Sequence, residues 1–273
     1  TGVIAAVREA LFLASVTLYL AAAGAHFLHF FLRQGGRAAA WLTSLAWLAH
    51  TGVVSAIFLS EHRPPLATVQ EAVVFLAWVT GLNYLLVERL FELRVAGTFV
   101  VPVVALLQLY AAALPRQAGP APEPAESLWV VLHAVVALGG YGAFALACVA
   151  AAMYLLQERQ LRAKAFRLFY HRLPSLEILD ALAFRLVVFG FPLLVIAVVT
   201  GALWARRLWG VPWFADPKVP WSLLTVAIYG AYIAARVRLG WRGRKTAYLA
   251  VAGFGVVLFN LVVANLLSPH HGF

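Results

Sequence analysis

Apolar runs of about 20 residues, each enough to cross roughly 30 Å of hydrocarbon as a helix, recur along this chain with only short polar breaks between them. Inside hydrocarbon every backbone N–H and C=O must find a partner within the segment, so such runs are helical. The spans are read at 10–32, 38–60, 68–87, 95–114, 128–156, 177–204, 221–237 and 246–267. Only 12% of the 273 residues are charged, against about a quarter in soluble domains. The expected fold is all-α: one polytopic transmembrane domain over 1–273, with eight transmembrane helices and no soluble domain within these residues.

Arg8, the apolar stretch from Leu11 and the small residues Ala21 to Ala25 have some features of a signal peptide. The run continues through His26 to Leu32, however, and is read as an uncleaved span. Charge then sets the topology. Arg33, Arg37, Arg89, Arg94, Arg159, Arg162, Lys164, Arg167, Arg172, Arg236, Arg238, Arg242, Arg244 and Lys245 follow the odd-numbered spans, with Arg185 on the same side. Arg8, Arg63, Arg116, Arg206, Arg207 and Lys218 fall on the other. Positive residues favour the cytoplasmic side, so both termini are expected outside. The net charge of +10 therefore sets orientation, and no nucleic-acid partner is expected. The membrane expected is a bacterial-type plasma membrane, crossed several times. The basic, partly aromatic segment from Gln157 to Ser175 reads as a helix lying on the inner leaflet. Cys148 is the sole cysteine, which excludes an internal disulfide and a Cys-x-x-Cys redox pair.

Between spans six and seven, the external segment 204–221 holds Trp204, Trp209, Trp213 and Trp221 together with Arg206, Arg207 and Lys218. Aromatic faces beside cations suit a flat, anionic, apolar ligand such as haem. The alternative is an aromatic belt with cations on anionic lipid headgroups. Asp216-Pro217 reads as a helix start, aspartate as N-cap and proline at the first helical position. The topology brings His133, about 8 Å into span five from its outer end by helical rise, to the same side as His270 and His271. Two imidazoles beside an aromatic shelf provide axial ligands for a six-coordinate haem; hydrogen bonding between helices is the plainer role. His26 and His29 share a face of span one, and His50 lies mid-span in span two. These three offer a second, inner haem or metal position, or interhelical hydrogen bonds. No His/Cys spacing resembles a structural zinc site.

Gly201-Ala-Leu-Trp204-Ala, Trp209-Gly, Trp213 and Asp216-Pro-Lys218 resemble the tryptophan-rich WWD motif of the cytochrome c assembly family, the haem-handling CcsA, CcmC and CcmF group. Leu132-His133, Gly140-Tyr141-Gly-Ala-Phe144 and Tyr154-Leu-Leu-Gln-Glu158 are similar to the span before that motif. The early segment Arg63 to Glu71 with Phe75 and Trp78, and the ending Asn265 to Phe273, also match, so the likeness covers nearly the whole chain. Length and span number place it nearest the HemX-like branch. The resemblance implies haem b as cofactor. It implies His133 and His271 as the axial pair on iron, His271 being preferred to His270 because Gly272-Phe273 follows it. The partners it implies are haem, apocytochrome c and a CcsB/ResB-like subunit, besides membrane lipids.

Two departures stand out. Ala215 and Val219 flank Asp216-Pro-Lys218 where the family motif has Trp and Glu. Ala234, in Tyr232-Ile-Ala-Ala-Arg236, occupies the place of a span histidine in CcsA-type proteins, and alanine cannot ligate iron. The expected function is a haem chaperone or conduit at the outer face for cytochrome c maturation, without chemical turnover of its own. The alternative is a HemX-type regulator of haem biosynthesis acting through the cytoplasmic basic segments. An ion transporter is disfavoured, since no span has an acidic residue near its middle.

Overall fold

A computed structural model describes residues 2–32, 35–61, 65, 68–91, 94–114, 128–164, 173–208 and 218–261. Each expected span is helical where it is described: α1 Gly2–Leu32, α2 Gly36–Glu61, α3 Val69–Phe91, α4 Gly97–Ala113 after a 3₁₀ turn Arg94–Ala96, α5 Leu128–Arg162, α6 Leu176–Leu208, α7 Lys218–Arg238 and α8 Arg244–Phe259. Six of them, α1 to α6, are long and apolar enough to cross a membrane. The other two do not reach that mark, α8 having 16 described residues. The described residues fall into two compact units, one ending at Leu132 and one starting at His133.

In the N-terminal unit α1 packs along α2 and α4, and α3 packs on α4 and α2. The pattern of a soluble protein is inverted. Leu13, Leu28, Leu48, Leu90 and Trp41 are more than half exposed, whereas Ser15, His26, Thr43, His50 and Gln108 are fully buried. Lipid tails give apolar side chains no reason to hide, so close packing and interhelical hydrogen bonds hold such helices together. Ala22, Ala39, Ala46 and Ala77, all with no exposure, let the backbones approach. Trp47 and Trp78 stack with ring centroids 5.5 Å apart. Trp47 Nε1 donates to the Trp78 carbonyl at 3.1 Å, and Trp78 Nε1 donates to Thr51 Oγ1 at 2.9 Å. Each indole thereby covers part of its ring while satisfying its one donor.

In the C-terminal unit α5 and α6 meet through glycine. A Cβ on Gly140 would stand 3.2 Å from the Gly190 carbonyl oxygen and 3.3 Å from the Leu194 nitrogen. Phe144 stacks on Tyr229 of α7 with centroids 3.7 Å apart. Asp180 of α6 ties the α7–α8 connection: it pairs with Arg236 at 2.7 Å, and its Oδ1 accepts from the Gly243 backbone N–H at 2.8 Å and Thr246 Oγ1 at 3.3 Å. Gly243 has φ +70°, a left-handed conformation that glycine adopts without Cβ strain.

The helix expected to lie flat from Gln157 is not formed at its start. α5 continues unbroken to Arg162, supported by the Arg162–Glu158 pair at 2.8 Å one turn apart. The chain then turns at Ala163 and Lys164. The rest of that expectation, 165–172, lies outside the described residues.

Candidate functional site

His133 is half-buried near the start of the C-terminal unit's part of α5. Its Nδ1 lies 2.9 Å from the Ala197 carbonyl oxygen of α6 and 3.4 Å from Thr200 Oγ1. A carbonyl only accepts, so Nδ1 carries the proton and Nε2 keeps its lone pair. A neutral imidazole with Nδ1–H on a backbone carbonyl is the arrangement that orients a metal-ligating histidine. Thr200 Oγ1 also donates to the Ala197 carbonyl at 3.1 Å. The ring lies over Gly201, where an added Cβ would come within 2.9 Å of Cε1.

Lys218, the first residue of α7, lies within electrostatic reach of His133. Trp221, in the first turn of α7, packs on Phe259 of α8 with centroids 4.2 Å apart. One residue on, Ser222 Oγ accepts from Asn260 Nδ2 at 3.0 Å; the same amide reaches the Tyr141 hydroxyl oxygen at 3.4 Å. Asn260 is fully buried and sits where α8 widens into a π turn at 260–261. It joins α5, α7 and α8 just before the segment that contains His271.

Of the residues expected to form the site, His133, Lys218 and Trp221 are placed with their side chains, and Lys218 is within electrostatic reach of His133. Trp204, Arg206 and Arg207 lie on the final turns of α6. Trp209, Trp213, Asp216, His270 and His271 lie outside the described residues. Ala197, Thr200 and Gly201 went unassigned in the sequence, although Gly201 opens the motif ending in Trp204. A glycine and a threonine one helical turn before a tryptophan cluster give room and a hydroxyl, but nothing in one sequence tells which histidine fills that room. Asn260 also went unassigned; the signal that could have found it is a polar residue inside an apolar run.

The inner histidines do not converge. His26 Nε2 is 3.1 Å from Thr43 Oγ1 of α2 and 3.4 Å from the Tyr84 hydroxyl of α3, the interhelical role weighed above. His29 packs its ring on Gly36. His50 meets Tyr19 edge-on with centroids 5.9 Å apart. On α2, Thr43 and His50 are two turns apart, about 10 Å by helical rise, so His26 and His50 occupy separate layers. Among the described residues no group of three or more His, Cys, Asp or Glu side chains could hold a metal ion. Ala234 is exposed on α7.

Long lipid-facing helices around polar interiors define a multi-pass helical membrane protein, with one histidine held as a ligand would be. Residues 66–271 match the family model described as cytochrome c assembly protein. The chain is similar to proteins named cytochrome c biogenesis protein CcsA: 31% identical in Prochlorococcus marinus over 88% of this chain and 85% of that one. The match in Guillardia theta is 30% over 83% and 81%, and in Thermosynechococcus vestitus 30% over 82% and 83%. The chain belongs to the cytochrome c assembly family.

Proposed function

We propose that this protein serves cytochrome c maturation by holding haem b at the outer face of the membrane. His133 and His271 would ligate the iron, and Trp204, Trp209, Trp213 and Trp221 would shelter the ring. Arg206, Arg207 and Lys218 would meet the propionates, Arg offering a bidentate fork, and Asp216 would cap α7 and fix the loop. Ligation by two histidines would leave the iron no open site, which suits storing a reactive cofactor without turnover. Apocytochrome c and a CcsB/ResB-like subunit are the partners of this reading.

The observation that carries it is the 2.9 Å contact between His133 Nδ1 and the Ala197 carbonyl oxygen: a carbonyl only accepts, so Nδ1 donates and Nε2 is left as the basic nitrogen. Family membership and relatives named for cytochrome c biogenesis support the same reading; they do not favour a HemX-type regulator. The separation of His26 from His50, with alanine at 234, supports handling at the outer site alone. The purified protein is expected to show a Soret band that shifts on reduction. His133→Ala combined with His271→Ala is expected to abolish it, and an unchanged spectrum in that double variant would refute the axial pair.

A further inference from the structure

The N-terminal unit contains a site of a different kind. Where α2 begins and α3 ends, Ala40, Trp41, Ser44, Leu85, Glu88 and Arg89 line a groove of about 140 Å³. The three residues from each helix recur at helical spacing, so two facing stripes form its walls. Glu88 is only 8% exposed, and its Oε2 is buried without a hydrogen-bond partner. Its Oε1 lies 3.9 Å from Arg94 Nε, and the Tyr84 hydroxyl hydrogen-bonds the carboxylate from one turn earlier, which leaves Oε2 as the oxygen without a donor. A carboxylate oxygen left without a donor in such a place is costly, so whatever fills the groove must supply an N–H or O–H.

The rim states the remaining chemistry. Arg89 is exposed there, offering a guanidinium to an anionic oxygen. Trp41 is 68% exposed near a helix end, where indoles mark the headgroup level. From Trp41 an exposed apolar track runs down α2 through Leu45 and Leu48 at i+4 and i+7. A buried acceptor, a cation at the rim and an apolar track leading into the bilayer match an amphiphile carrying an ammonium, a phosphate and acyl chains.

We propose that this groove binds a zwitterionic phospholipid with a primary amine headgroup, of the ethanolamine type. Its ammonium donates to Glu88 Oε2, its phosphate meets Arg89, and its chains follow Leu45 and Leu48. A primary ammonium has three N–H donors, whereas a choline headgroup has none, so the unpartnered oxygen discriminates between them. The site is independent of haem.

The test is native mass spectrometry of the intact protein released from nanodiscs with equimolar ethanolamine, choline and glycerol phospholipids. Retention of the ethanolamine lipid over the choline lipid is expected by roughly five- to tenfold. Glu88→Gln removes the charge, and Ser44→Leu fills the groove while leaving every charge in place; both are expected to bring the ratio near one. Equal retention by the wild type, or an unchanged ratio in both variants, overturns the proposal. Soluble phosphoethanolamine is expected not to displace the lipid at matched concentration, and full displacement would overturn the bilayer as the source.

Discussion

Gly201 offers the sharpest test of the His133 site. A Cβ there would meet His133 Cε1 at 2.9 Å and Nδ1 at 3.2 Å, against ordinary contacts of 3.4–4 Å. In Gly201→Ala the ring must retreat by about half an ångström, because the opposing atom is helix backbone on a packed element. Nδ1 now stands 2.9 Å from the Ala197 oxygen, and that retreat takes it toward the outer limit of a hydrogen bond. The loss is about 0.5–1.5 kcal/mol for the bond itself. Loss of such an outer-shell partner typically lowers metal affinity about 10- to 100-fold. Alanine is also the better helix former by about 1 kcal/mol, so weakened haem binding cannot come from a weakened α6. The assay is titration of haem into the apoprotein in detergent, followed by oxidised and reduced spectra. Thr200→Val is the control: its hydroxyl is 3.4 Å from Nδ1, and a small effect is expected. If Gly201→Ala binds haem as the wild type does while His133→Ala does not, ring orientation is not set by this contact.

Two further outcomes concern stability. Asp180→Ala strips Arg236 of its partner where the two side chains are 11% and 14% exposed; a cost of about 2 kcal/mol, reduced from the fully buried case by partial hydration, should lower the melting temperature in detergent, and an unaltered melt would count against the clamp. In Gly97→Ala a new Cβ would run into the His26 ring and the Tyr84 hydroxyl. Overpacking should cost about 1–3 kcal/mol despite the gain in helix propensity. Combining it with His26→Ala and Tyr84→Phe should recover much of the loss, and failure to recover would mean the clash lies elsewhere.

The eight helices of the described residues were legible because an apolar helix is written in one long stretch, and no distant residue is needed to read it. Helix ends were less so. α5 runs on to Arg162 since Glu158 and Arg162 pair one turn apart, a local gain that apolar counting ignores. His133 stood out as a polar residue in an apolar run. Its partner, the Ala197 carbonyl, could not be read: every residue carries a carbonyl, and only the α5–α6 crossing selects this one. Asp180 was equally silent, since its partners Arg236, Gly243 and Thr246 are distant in sequence and meet only when α7 and α8 turn back on α6. The inner histidines show the opposite limit. Shared faces on single helices suggested a cluster, while packing assigned His26 and His50 to different layers.

The close approach of Gly140 to Gly190 has a consequence two turns away. His133 precedes Gly140 by seven residues on a stiff rod, so the glycine crossing fixes how far along α6 the imidazole can reach. Helical rise is about 1.5 Å per residue; a slide of one step would carry Nδ1 off the Ala197 oxygen, 2.9 Å away. The ring therefore works as the pointer on a scale whose zero is set by two residues without side chains. Anything that shifts α5 lengthwise against α6, including a partner pulling on either helix, would be read out as a change in which nitrogen of His133 is free.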